Sequence, residues 1–321
     1  MVAEVLAGTA ALAPADGGLA SRAGGGIMVR GLTKRYGSVV AVDDVSFDVP
    51  RGSVTGFFGP NGSGKTTTMR LMLGLARPAR GSALFDGRPI DRIGNPARVV
   101  GAVLDAGAAH AGRTVAETVR LVCLAVGLPK ARGEEMIETV GLASVRGRRV
   151  AKLSLGMRQR LALACALVPD PTYLLADEPM NGLDPEGIDW LRQLLAALAT
   201  AGKGVLVSTH LIGEIDDLAE HVVLIDRGRI VAAERKQELL GQARVETLVR
   251  SADAARLGRA LAAAGIEVGS EPPFLRCGCD ADTVGQVAAR EGIALSELRP
   301  VEASLREFVL DNTRGQFRGK V

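Results

Sequence analysis

The stretch Gly59-Pro60-Asn61-Gly62-Ser63-Gly64-Lys65-Thr66 constrains this chain more than any other. It fits G-x-x-x-x-G-K-[ST], the pattern of a loop that wraps polyphosphate. Its glycines leave successive backbone N–H groups free to turn toward anionic oxygens. Lys65 can set a compact positive charge against the β- and γ-phosphates, and the Thr66 hydroxyl can ligand Mg²⁺. Residues 53–58 before the loop read as a buried strand. Residues 67–75 after it read as a helix, which adds Thr67 and an N-terminal dipole to the attraction for phosphate.

Around this loop, strand and helix signals alternate. Residues 27–32, 39–49, 81–85 and 99–103 read as strands, with a turn at 35–38. From 114 to 168 the pattern turns helical, and Thr114-Val115-Ala116-Glu117 reads as a capping box. Strands return at 172–176, 204–208 and 222–225, with helices expected at 185–200 and 211–219. Such alternation implies an α/β fold, with a mixed, mostly parallel sheet covered by helices. After residue 240 a small α+β extension is expected: strand 245–250, helix 252–264, strand 274–277 and helix 282–291. Pro272-Pro273 marks a turn between its halves.

Two strand ends carry further chemistry. The apolar run 172–176 delivers Asp177 and Glu178 to the carboxyl edge of the sheet, where phosphate loops also lie. There Asp177 would reach the Mg²⁺ shell, and Glu178 would face the γ-phosphate and polarise an attacking water. The strand 204–208 ends similarly, with His210 at its tip, where an imidazole can hydrogen-bond a γ-phosphate oxygen. His110 and His221 lack such a setting and read as ordinary surface residues.

Composition excludes several alternatives. With 39 basic against 36 acidic residues, the charge is too even for a dedicated nucleic-acid surface. No apolar run reaches the roughly 18 to 20 residues of a membrane-spanning helix. Of four cysteines, Cys123 and Cys165 read as core. Cys277 and Cys279 form a pair with neither a second pair nor a nearby histidine, which is poor zinc spacing. Residues 1–26, rich in Ala and Gly, read as a disordered tail.

The ordered motifs identify a family resemblance. The phosphate loop is followed by Leu153-Ser154-Leu155-Gly156-Met157-Arg158-Gln159-Arg160, Leu174-Leu175-Ala176-Asp177-Glu178-Pro179, Gly182-Leu183-Asp184-Pro185 and Ser208-Thr209-His210. Together they resemble the nucleotide-binding subunit of ATP-binding cassette transporters, a P-loop NTPase fold. The resemblance covers residues 27–240, with a helical subdomain at about 105–168, and leaves 241–321 as the extension. It implies ATP and Mg²⁺ as cofactors and two ATPase subunits, identical or not, sandwiching two nucleotides. It also implies a separate transmembrane permease and a peripheral location on the cytoplasmic face of the membrane. Ser154 and Gly156 would contact the γ-phosphate held by the partner's loop, and Asp184 would link the two sites. Tyr36 matches the aromatic that stacks on adenine.

Two departures stand out. The usual signature reads Leu-Ser-Gly-Gly-Gln, and here Leu155 and Met157 replace a glycine and the glutamine. The loop that normally holds a glutamine near Mg²⁺ carries Asp105, which can ligand the cation but cannot donate a hydrogen bond when ionised. Both departures are similar to those of the multidrug, antibiotic and bacteriocin self-resistance exporters, as is the segment 303–310. The expected function is ATP hydrolysis that powers efflux. A regulatory ATP-binding module with little turnover, and a soluble cassette acting on ribosomes or DNA, are the alternatives.

Overall fold

The computed structural model describes residues 25–241, 245–301, 304–305 and 308–309. Contacts divide the chain into two compact units, with the division between Lys236 and Gln237. Residues 1–24 of the expected tail lie outside the described residues.

In the first unit, β1 (Gly26–Tyr36) and β2 (Val39–Pro50) alternate except where a register shift separates Val29 from Leu32 and Val42 from Val45. Ile27, Val29 and Leu32 face inward with Val42, Val45, Phe47 and Val49, while Met28, Arg30, Ser46 and Asp48 face out. Strands β4 (Arg80–Phe85) and β5 (Arg88–Pro89) complete an antiparallel sheet of order β2-β1-β4-β5. The second sheet also contains β3 (Val54–Phe58), β6 (Val100–Val103), β7 (Tyr173–Asp177), β8 (Gly204–Thr209), β9 (His221–Asp226) and β10 (Arg229–Arg235). Its order is β10-β9-β3-β8-β7-β6, parallel except for the edge strand β10. Strands β3 and β8 are buried along their whole length, which is why they read as continuous apolar runs.

Helix α1 (Lys65–Met72) leaves the phosphate loop and buries Met69, Leu71 and Met72 in a core shared with Phe47, Phe57, Phe85 and Tyr173. A one-turn helix α2 (Pro96–Val99) precedes β6. Helices α3 (Val115–Ala125), α4 (Lys130–Thr139) and α5 (Leu155–Leu167) form the helical part. The capping box that opens α3 is complete: Glu117 N donates to Thr114 Oγ1 at 3.2 Å, and Thr114 N donates to Glu117 Oε2 at 2.8 Å. Helix α6 (Pro185–Thr200) follows β7, and α7 (Lys236–Gly241) follows β10.

Three local expectations change. The segment 211–219 is not an α-helix; it holds only a 3₁₀ turn, Ile212–Glu214. Leu211 N is taken by Thr209 Oγ1 at 2.9 Å, and Ile215, with φ −132°, leaves helical geometry. His221, expected as an ordinary surface residue, opens β9 and is half-buried opposite Thr55. Strand β10 escaped the sequence reading because it is a largely exposed edge strand whose apolar run 230–233 does not alternate with polar residues.

The second unit runs β11 (Glu246–Ser251), α8 (Ala254–Ala263), β12 (Val268–Glu271), β13 (Phe274–Cys277), α9 (Ala281–Arg290) and β14 (Leu295–Val301). Its antiparallel sheet has order β12-β13-β11-β14, the βαββαβ arrangement of ferredoxin-like folds. Pro272 and Pro273 make the β12–β13 turn. Val249, Leu257, Leu261, Cys277, Val284, Ala288 and Ile293 close its core, so Cys277 is a packing residue. Of the segment 303–310, Leu305 and Val309 are buried, and residues 303, 306, 307 and 310 lie outside the described residues.

Candidate nucleotide site

The parallel register brings three strand ends to one edge of the sheet. Phe58 lies opposite Thr209, and Asp177 opposite Ser208. The loop that leaves β3 turns into α1 at Gly64, whose φ of +111° is open to glycine alone. A Cβ there would also sit 2.7 Å from the Ala41 carbonyl oxygen. No side chain caps α1, so its first N–H groups remain available to an anion. Asn61, Gly62, Gly64, Lys65, Thr66 and Thr67 line one cleft with Ala41 and Glu178. Gly59, Pro60 and Ser63 form the floor of the loop: Ser63 N donates to Pro60 O at 3.2 Å.

Lys65 is only 5% exposed. Its Nζ donates to the carbonyl oxygens of Gly59 at 2.6 Å and Pro60 at 3.2 Å, and lies 3.2 Å from Glu178 Oε1. Glu178 Oε2 meets His210 Nδ1 at 2.8 Å. Thr66 Oγ1 donates to Asp177 Oδ2 at 2.5 Å. Lys65, Thr66, Asp177, Glu178 and His210 therefore form one connected cluster, although they come from three separate stretches of chain.

The cluster suits polyphosphate and Mg²⁺. Thr66 and Asp177 converge as hard oxygen donors, and Mg²⁺ takes one or two carboxylates while phosphate and water fill the rest of its shell. No group of three or more metal-ligating His, Cys, Asp or Glu side chains occurs among the described residues, so a fully protein-made cage is absent there. Two buried polar atoms of the site make no hydrogen bond: Ser63 Oγ, and Glu178 Oε1, whose one described contact is the ion pair with Lys65. A hydroxyl left open, and a carboxylate oxygen held only by a lysine that phosphate can attract, are suited to phosphate and water.

Other expected residues stand apart from the cluster. Tyr36, 51% exposed, ends β1 with Lys34 Nζ 5.0 Å from its ring centre. Ser154 caps α5, accepting from Met157 N at 3.2 Å. Asp184 caps α6, accepting from Gly187 N at 2.9 Å. These two helix starts are neighbours: Gly156 lies against Leu183, and Leu155 lies against Gly182. Asp105 is exposed beyond β6, where its Oδ1 accepts from Gly107 N at 2.7 Å. No described contact joins Asp105 to Thr66 or Asp177.

The sequence reading placed Ser208 and Thr209 in a motif with His210 but gave them no role, and it missed Glu214. Thr209 Oγ1 donates to Glu214 Oε2 at 2.6 Å, which ties the backbone before His210 to the 3₁₀ turn. Two buried hydroxyls ending an otherwise apolar strand are the signal that could have found them.

The ABC transporter family matches residues 42–181, and a domain of unknown function (DUF8746) matches residues 245–305. The lantibiotic transport ATP-binding protein SrtF of Streptococcus pyogenes is 32% identical over 205 residues, which cover 64% of this chain and 89% of that protein. The Nod factor export ATP-binding protein I of Cupriavidus metallidurans is 38% identical over 219 residues, 67% of this chain and 72% of that protein. The bacitracin transport ATP-binding protein BcrA of Bacillus licheniformis is 37% identical over 203 residues, covering 62% and 66%. A solved ATP-binding subunit of an ABC transporter is 28% identical, with a TM-score of 0.62 over 67% of this chain and 92% of that one. The family match spans the phosphate loop, the signature helix and both acids, and the chain belongs to the ATP-binding proteins of ABC transporters.

Proposed function

We propose that this chain is the ATPase subunit of an exporter, and that it works as a dimer on the cytoplasmic face of a separate transmembrane permease. Residues 27–240 act as the cassette and 241–321 as its extension. The carrying observation is the connected cluster Lys65–Glu178–His210 beside Thr66–Asp177. Relatives named for lantibiotic, bacitracin and Nod factor transport support efflux of a drug, an antibiotic or another small hydrophobic compound. No described helix is long and apolar enough to cross a membrane, so a membrane path must come from another chain or from outside the described residues.

Each residue then has a task. The loop N–H groups and Lys65 hold the β- and γ-phosphates, and Tyr36 offers an exposed face to adenine. Thr66 and Asp177 would hold Mg²⁺, which when bound neutralises charge on the phosphate oxygens; Asp105 is a further candidate, from the exposed segment that follows β6. In the cluster, Lys65 faces Glu178. An incoming γ-phosphate draws Lys65 away and leaves the Glu178 carboxylate to accept a proton from water. His210 steadies that carboxylate through Oε2. Ser154 and Gly156 complete the partner's site from the start of α5, and Asp184 bridges the two sites.

Glu178→Gln removes the base and keeps the shape. It is expected to bind ATP, accumulate as a dimer in size-exclusion chromatography and lose roughly 10²–10⁴-fold in kcat. Lys65→Ala is expected to lose nucleotide binding. Steady turnover by Glu178→Gln at the wild-type rate would remove Glu178 from the base role.

A further inference from the structure

We propose that Ser208 is a positioning residue for hydrolysis, one hydroxyl that sets both the Asp177 carboxylate and the Glu178 backbone. The inference rests on the reading of Asp177 as a cation ligand and Glu178 as the base.

Ser208 has no exposed surface, and it lies directly opposite Asp177 in the β7–β8 register. A serine hydroxyl has one proton to donate and lone pairs to accept with. Here the proton goes to Asp177 Oδ1, and the oxygen accepts from Glu178 N at 2.9 Å. Both capacities are spent on the adjacent acids. Because the residue is sealed from solvent, water cannot take over either bond when the hydroxyl is removed.

Each bond constrains a different atom. With Oδ1 committed to Ser208, Oδ2 is the Asp177 oxygen turned to Thr66, and so the one offered to the cation. Glu178 has a φ of +48°, a left-handed conformation that a residue with a Cβ holds only under constraint. Its N–H is shared between Ser208 Oγ at 2.9 Å and Ser208 O at 3.1 Å. Loss of the hydroxyl leaves the ladder bond alone to hold that conformation. The carboxylate then swings more freely between Lys65 and His210. Partners of this kind behind a metal ligand typically change affinity or activity about 10–100-fold.

The test compares wild type with Ser208→Cys, which keeps the size but donates poorly, and Ser208→Ala, in the full-length chain. Nucleotide affinity is measured with a non-hydrolysable ATP analogue in EDTA and again in Mn²⁺. Affinity in EDTA is expected to stay within about twofold of wild type, since no phosphate contact is touched. The gain in affinity contributed by Mn²⁺ is expected to shrink, and kcat to fall about 10–100-fold with KM little changed. A purely structural role would lower the melting temperature and leave the Mn²⁺ gain intact. Wild-type Mn²⁺ gain and wild-type kcat in Ser208→Cys would overturn the proposal. Asp177→Asn serves as the control. If Asp177→Asn also keeps the full Mn²⁺ gain, the cation-ligand reading itself fails, an outcome distinct from a silent Ser208.

Discussion

Tyr173 opens β7 with no exposed surface, although its phenol is polar. Its hydroxyl donates to Asp86 Oδ1 at 2.5 Å and accepts from Arg51 Nε at 3.0 Å. Arg51 in turn pairs with Asp86 and lies 5.6 Å from the ring centre. Burial pushes the phenol up from its ordinary value; the neighbouring carboxylate adds to the rise and Arg51 opposes it. A raised acid favours the folded state while the phenol keeps its proton. That stability is fully present below the unfolded value near 10 and is lost as pH climbs past it. Tyr173→Phe is therefore expected to cost about 1–2 kcal/mol at pH 8 from the broken hydrogen bonds. Its deficit against wild type should narrow above pH 10, because phenylalanine has no proton to lose. Urea unfolding at pH 8 and pH 10.5 measures both terms, and a deficit unchanged between them would refute the linkage.

At the scale of elements, the start of α5 and the loop before α6 are built against each other. Gly182 has a φ of +76°, and a Cβ there would overlap Leu155 Cδ2 and sit 2.8 Å from its Cγ. Gly182→Ala thus carries two costs, about 1–2 kcal/mol for the left-handed backbone and a further cost for the displaced leucine. In a Leu155→Ala background only the backbone cost remains, since Leu155 is half-exposed and its removal is cheap. The double-mutant cycle is expected to show coupling of about 1 kcal/mol, read by denaturant unfolding, and strict additivity would mean the two segments are independent. The same contact marks the limit of the sequence. Ser154, Asp184 and Gly182 were legible only as parts of motifs that carry the family resemblance; their work as helix caps and as a left-handed turn emerges from the fold. That Leu155 fills the space above Gly182 depends on two helices more than 25 positions apart in the chain, which no local pattern encodes. The same holds for β12 and β14: largely exposed, with apolar and polar residues mixed, they satisfy backbone pairing without a regular apolar alternation. The loop, the acids and His210 were legible because chemistry restricts residue type there. The role of Ser208 was hidden, although it stood in a motif with His210, because a serine suits many environments.

At the scale of the whole molecule, each unit closes a hydrophobic core from its own residues. One gathers Phe47, Phe57, Met69, Phe85 and Tyr173, the other Val249, Leu257, Leu261 and Val284. Every residue proposed to hold nucleotide belongs to the first unit. A ligand raises the stability only of the cooperative unit that binds it, by RT ln(1 + [L]/Kd), about 2.7 kcal/mol at a hundredfold excess over Kd. Scanning calorimetry of the full chain is therefore expected to resolve two transitions. Mg²⁺ with a non-hydrolysable ATP analogue should move one of them upward by a few degrees and leave the other in place. Truncation after residue 241 should delete the unmoved transition and keep nucleotide affinity within about threefold. A single transition that rises as a whole would mean instead that the βαββαβ unit unfolds with the cassette, so that nucleotide binding in one stabilises the other. The two outcomes separate an appended module from a regulatory one, because only a unit that shares the free energy of binding can report on nucleotide state or alter it.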